Sequence, residues 1–333
     1  MSGEWVRDVL GSPFEQRTLA LGQDDEGEVV ATLVRLRPPL HASLLGPLRD
    51  VDVLYLHGWS DYFFQVELAR FWAHLGARFH AVDLRKYGRS LRAGQTPGFV
   101  TDLTTYDEDI AAALAAMGHS VEYADAASSR RLVVMGHSTG GLTATLWASR
   151  HPGVADALVL NSPWLELQIG TLGRQAISPL VKVRSRLDPL GAHPVVDLGF
   201  YTRAQTDVGA LPARGYRREW RPERGFPTHP GWLAAVIDGH RRIAAGVDVG
   251  SPVLVMLSTT STNPLVWSAD MTASDSVLVV DDVARAAPRI GRDVTIARID
   301  GGIHDLFLSR PGPREAACRA LERWLVGGVL GRR

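Results

Sequence analysis

Cysteine is almost missing from this chain: Cys318 is the only one among 333 residues. A single thiol excludes an intramolecular disulfide and a four-thiolate metal site. Lysine is nearly as scarce, confined to Lys86 and Lys182, so arginine carries most of the positive charge. An excess of either sign is absent too, with 36 Lys and Arg against 36 Asp and Glu. Without a global field, nothing draws the chain to nucleic acid or to an anionic membrane. No apolar run is long enough to cross a bilayer, and Met1 to Phe14 holds Glu4 and Asp8 where a secretory signal needs an apolar core. The expectation is a cytoplasmic protein with no nucleic-acid partner and no stable membrane insertion.

What is present is a 45% hydrophobic chain, enough for a sizeable core. Strand-like runs alternate with helical ones. Glu28 to Arg37, Val51 to Leu56, Phe79 to Leu84, Val133 to Met135 and Ala157 to Asn161 read as strands. Phe63 to Leu75 and Thr105 to Met117 read as helices, the second capped by Thr104 or Thr105 and stopped by Gly118. Units of this kind predict an α/β fold: a mostly parallel sheet with helices on both faces and its active site at the carboxyl ends of the strands.

The alternation lapses between Glu166 and Val247, where Pro179, Pro189, Pro194, Pro212, Pro222, Pro227 and Pro230 interrupt Arg-rich and aromatic patches. Only Gly231 to Ala245 reads as a clear helix there. A stretch this long is a poor structureless loop, so residues 166–247 are expected to form an inserted helical cap. The core is then 1–165 and 248–333, with strands at Pro252 to Leu257 and Val294 to Ile299, a short helix at Asp282 to Ala287 and a closing helix at Arg314 to Val326.

Chemistry is concentrated at Gly136-His137-Ser138-Thr139-Gly140, a G-x-S-x-G run between a strand and a helix. At such a sharp turn, flanking glycines let backbones cross closely and the serine hydroxyl stands above the sheet edge. An alcohol is a weak nucleophile at neutral pH and needs a base, which in turn needs an acid to hold its tautomer. His304, on the glycine-rich loop after the last expected strand, is the first choice of base; His229 and His240 belong to the expected cap. For the acid, Asp275 ranks first and Asp270 second. Asp281 and Asp282 read as the start of a helix, and Asp305 is too close in sequence to His304 to orient it. The oxyanion of a tetrahedral intermediate needs donors set in advance, and the backbone N–H groups of Thr139 and Trp59 are placed for this. The His57 side chain is expected to organise that loop.

LHGW at 56–59, DLRKYGRS at 83–90, GHSTGG at 136–141 and GGIHD at 301–305 together resemble the α/β-hydrolase superfamily. Within it, the chain is similar to the monoacylglycerol lipase and lysophospholipase-like serine hydrolases, also described as serine aminopeptidase-like. The resemblance implies Ser138 as nucleophile, Asp275 as acid and His304 as base, with the Trp59 and Thr139 N–H groups as the oxyanion hole. Three departures stand out. Lys86 replaces the glycine that usually precedes the tyrosine in DLRKYGRS, the bulky Trp59 follows His57-Gly58 where lipase members often carry a small residue, and the acid loop from Thr259 through Ser274 is long and includes Pro264 and Trp267.

The expected activity is hydrolysis of a carboxylic ester through an acyl-enzyme, on a small lipid-like or apolar substrate, with no metal or organic cofactor. Trp59, Trp164 and Trp267 are candidate pocket walls. An amidase, peptidase, lactone hydrolase or acyltransferase uses the same triad, and a noncatalytic ligand-binding protein keeps the same fold. A homo-oligomer is compatible with all of these.

Overall fold

The computed structural model describes residues 3–120, 130–167, 181, 183–191, 197–262 and 265–330. Pro179, Lys182, Pro194 and Pro264 lie outside these residues.

Strand formation follows the apolar runs. β1 (Val6–Arg7), β2 (Glu15–Asp24) and β3 (Gly27–Leu36) open the chain, followed by α1 (Leu40–Leu45). Then come β4 (Val51–Leu56), α2 (Val66–His74), β5 (Arg78–Asp83), α3 (Tyr106–Met117), β6 (Arg131–His137), α4 (Thr139–Arg150) and β7 (Ala157–Asn161). Beyond β7 lie α5 (Phe200–Asp207) and α6 (Pro230–Ala245). The chain closes with β8 (Val253–Ser258), α7 (Val280–Ala286), β9 (Val294–Ile299) and α8 (Pro311–Trp324).

Among the described residues the strands form one sheet in the order β1-β2-β3-β5-β4-β6-β7-β8-β9. The first three pairings are antiparallel, and every pairing from β5 to β9 is parallel. All residues of β4, β7 and β8 are buried, as expected of strands covered on both faces. Their side chains alternate between two cores. Leu54, Leu56, Leu132 and Val134 point to the side of α3, α4 and α6, with Trp147, Ile110 and Val236. Val53, Tyr55, Val133 and Met135 point to the side of α2 and α8, with Trp72, Ala317 and Leu321. By area, each such Leu or Val contributes about 1.5–3 kcal/mol when fully buried.

The sheet sets the site through its strand order. After β4 the chain adds β5 on one side and then crosses back to place β6 on the other, leaving a crevice above β4 and β6. Leu56 pairs with Gly136 and His137 with Asn161, so the ends of β4, β6 and β7 stand side by side.

Several boundaries move from their sequence expectation. α2 starts at Val66 rather than Phe63, because the Phe63 N–H is held by Asp83 at 2.9 Å and the Phe64 N–H by Gln65 at 2.9 Å. Thr105 holds the N-cap position of α3, as expected, but its side chain makes no capping hydrogen bond. Asp102 accepts the Thr104 N–H at 2.8 Å and starts a short 3-10 turn that leads into the helix. α8 begins at Pro311, whose fixed φ suits the first helical turn.

Candidate active site

Ser138 sits at φ 53°, ψ −119°, a conformation that L residues seldom adopt. The surroundings leave it little alternative. A Cβ on Gly136 would lie 2.5 Å from the Gly140 carbonyl, and one on Gly140 would lie 2.2 Å from the His57 carbonyl. These approaches press the start of α4 against both the elbow strand and the loop after β4. Gly58 is packed so closely that its Cβ would meet that of Ser138 at 3.1 Å. The residue after it, Trp59, therefore opens its loop beside the serine, while Thr139 opens the helix behind it.

His304 and Asp275 arrive from opposite sides of β9. His304 Nδ1 lies 2.9 Å from Asp275 Oδ2, and both side chains are buried. Because the carboxylate only accepts, Nδ1 carries the proton and Nε2 is left as the basic nitrogen. The other Asp275 oxygen accepts the Val277 and Leu278 N–H groups, each at 2.8 Å. Its backbone bonds to Thr260 and Thr262 fix the loop itself. The remaining acid candidates are elsewhere. Asp270 is exposed beside Ser268, Asp281 pairs with Arg298, and Asp282 pairs with Arg285. His229 bonds the Leu190 carbonyl at 3.0 Å, and His240 bonds that of Trp164 at 2.8 Å.

Two buried histidines brace the elbow. His57 Nε2 accepts the Leu84 N–H at 3.1 Å, so its Nδ1 donates to the Gly58 carbonyl at 2.8 Å. Burial lowers its pKa, which keeps the acceptor nitrogen free of a proton. His137 donates from Nδ1 to the Asn161 carbonyl at 3.0 Å, and its ring lies 4.9 Å from that of His304. Burial pulls the His137 pKa down to about 4, so no second cation forms beside His304 near neutral pH.

Asn161, Asp305, Gln65 and Tyr201 were not singled out as site residues in the sequence, beyond the rejection of Asp305 as triad acid. Asp305 is buried and accepts from Asn161 Nδ2 at 2.8 Å and Gln65 Nε2 at 3.1 Å. Asn161 ends β7 with a polar side chain, which was the available signal; Tyr201 and Gln65 carried none.

The tryptophans divide into two groups. Trp59 packs on Trp232 of α6 with ring centroids 3.7 Å apart, and Trp164 lies 6.3 Å from Trp232. The Trp164 N–H bonds the Ser138 carbonyl at 3.0 Å. Trp267 instead contacts Phe200 and lies beneath the Arg203 guanidinium.

Residues 49–310 match the model of the serine aminopeptidase S33 family, a hydrolase family. The chain belongs to that family. Lysophospholipase L2 of Escherichia coli is 27% identical to this S33-family hydrolase over 214 residues, 59% of each chain. The chain thus spans about 59% of the length of the curated relatives it matches. The fold is similar to that of a Paleococcus ferrophilus monoacylglycerol lipase, with TM-score 0.60, 19% identity, and 89% of this chain and 98% of the other covered. It is also similar to monoglyceride lipase from Saccharomyces cerevisiae, with TM-score 0.63, 13% identity, and 96% and 97% covered. The α/β-hydrolase fold read from the sequence is therefore the fold of this chain. No helix among the described residues is long and apolar enough to cross a membrane.

Proposed function

We propose that this S33-family hydrolase cleaves a carboxylic ester through an acyl-enzyme on Ser138. The observation that carries the reading is the buried 2.9 Å contact between His304 Nδ1 and Asp275 Oδ2, with the His304 ring 4.9 Å from that of His137, the residue before an elbow serine held at φ 53°. With Nδ1 committed to Asp275, Nε2 of His304 accepts the Ser138 proton as Oγ attacks the carbonyl carbon. The oxyanion receives the N–H groups of Thr139, at the start of α4, and Trp59. His304 gives the proton to the departing alcohol, then takes one from water as the water oxygen attacks the acyl carbon, and passes that proton to Ser138 Oγ as the bond to Ser138 breaks and the acid leaves.

The lysophospholipase relative supports an ester as the acyl compound. Trp59 and Trp164, with Trp232, support an apolar group next to the scissile carbonyl. Trp267 belongs to the contact between α5 and the acid loop and is a weaker pocket wall. Residues 166–247 act as a cap over the site in this reading, supported by the insertion of α5 and α6 between β7 and β8.

The test is hydrolysis of nitrophenyl esters of graded acyl length by wild type and Ser138→Ala. The reading requires turnover by wild type, loss in the variant and an optimum in chain length. A folded wild type inert across the series overturns it.

A further inference from the structure

We propose that Tyr201 is a positioning residue for the base, acting on His304 through the peptide that joins it to Asp305. The inference rests on the hydrolase reading above and assigns helix α5 a part in the same site.

Three observations meet here. The Tyr201 hydroxyl accepts the Asp305 N–H at 3.0 Å. That N–H belongs to the peptide carrying the His304 carbonyl carbon, so holding it fixes the backbone from which the imidazole projects. The Tyr201 ring also stands edge-on to the His304 ring, with centroids 5.4 Å apart at 81°. One phenol thus restrains both the main chain and the ring of a single residue. Burial raises the Tyr201 pKa, and the Asp305 charge adds to this, so the hydroxyl stays neutral.

Asp305 transmits the restraint because its carboxylate is fixed independently. It is tied to Asn161 at the end of β7, to Gln65 before α2, and to its own Phe307 N–H at 3.1 Å. The His304–Asp305 peptide is therefore clamped from the sheet on one side and from α5 on the other.

Helix α5 is itself registered against the core. Gln205, one turn after Tyr201 and on the same face, accepts from Arg221 Nη2 at 2.7 Å. Arg221 Nε lies 3.2 Å from Asp61 Oδ1, in the loop two residues beyond Trp59. The segment between β7 and β8 thus grips both the base loop and the oxyanion loop. Displacing α5 would remove the main-chain bond and the ring contact on one side of His304.

The experiment compares wild type, Tyr201→Phe and Thr206→Ala, an exposed position of the same helix whose hydroxyl bonds only the Thr202 carbonyl one turn back. The readouts are ester kinetics, thermal melting and the low-field NMR resonance of the His304 Nδ1 proton. Tyr201→Phe keeps the ring and removes only the acceptor. The expected result is a fold that melts near wild type, kcat lower by about tenfold with KM within about twofold, and a shifted or broadened Nδ1 resonance. Thr206→Ala should match wild type in all three. A Tyr201→Phe protein with wild-type kcat and an unmoved resonance overturns the proposal. The resonance reads the His304–Asp275 pair whether or not esters are turned over, so failure of the hydrolase reading appears in the wild-type kinetics and remains distinguishable. Should Tyr201→Phe melt early, the resonance is read below its melting transition, and an unmoved resonance there overturns the proposal.

Discussion

Asn161 Nδ2 donates to Asp305 Oδ1 at 2.8 Å, joining the strand beside the nucleophile elbow to the residue beside His304. The Asn161 carbonyl completes the link by accepting the Ser138 N–H at 3.1 Å and the His137 ring at 3.0 Å. Ser138 and the residue next to His304 are thereby referred to one residue, Asn161, through its main chain on one side and its side chain on the other.

Replacing Asn161 by Ala should leave the buried Asp305 carboxylate short of a donor. The expected cost is about 1–3 kcal/mol of stability, with a fall in kcat of up to about 100-fold as the two loops lose their common reference. Thermal melts alongside ester kinetics check both. Wild-type turnover in the variant would show that the elbow and the base loop hold their spacing without it.

Asp275→Asn presents an amide to His304 Nδ1 and favours the wrong tautomer. It should lower kcat by about 10⁴-fold, whereas Asp270→Asn, at an exposed turn, should stay within about twofold of wild type. Parallel kinetics of the two variants decide between the acids that the sequence ranked first and second.

Lys86 occupies φ 62°, which explains why a glycine suits this position in related chains. Its buried ammonium bonds Asp24 at 2.7 Å and Glu26 at 2.6 Å, tying the β2–β3 turn to the loop after β5. Lys86→Ala loses those bonds and keeps the Cβ strain, while Lys86→Gly loses the bonds and relieves it. Denaturant unfolding should find the alanine variant less stable than the glycine variant, by about 1 kcal/mol. The reverse order would mean that the backbone there is unstrained.

Burial lowers the His80 pKa to about 4, below its ordinary 6.5, outweighing the attraction of Asp52. The unfolded chain therefore binds the extra proton first. Stability attributable to His80 is intact above pH 6.5 and declines as pH falls toward 4, where the folded protein also protonates. His80→Phe should flatten this part of the stability curve by about 3 kcal/mol across the interval, whatever its effect at neutral pH. Identical slopes in variant and wild type would contradict a neutral buried His80.

The legible parts of the molecule were those written locally. β4, β7 and β9 coincide with their apolar runs because each is a short run bounded by a turn. β2 was missed because a strand flanked on its outer side by only the two residues of β1 mixes Thr, Gly and Gln into its pattern. α5 was missed because its apolar face is two aromatics and its inward polar residues engage the core over long sequence distances. The strained turn at Ser138 and the pairing of Asp275 with His304 were legible through the turn motif and chain order. The groups around them were not: Tyr201 and Asp305 meet across 104 residues, and Gln65 and Asp305 across 240. Nothing near Trp232 in sequence announces that it stacks on Trp59, since a tryptophan on an amphipathic helix packs first against whatever core it finds.

The central claim is that Ser138 is a nucleophile activated by His304. Its most direct measurement is peptide mass mapping after treatment with a fluorophosphonate, on wild type and His304→Ala. The account predicts a stoichiometric phosphonyl adduct on the peptide containing Ser138 in wild type and labelling slowed by at least about 10³-fold in the variant. A folded wild type that stays unlabelled, or carries its adduct on another residue, would contradict it.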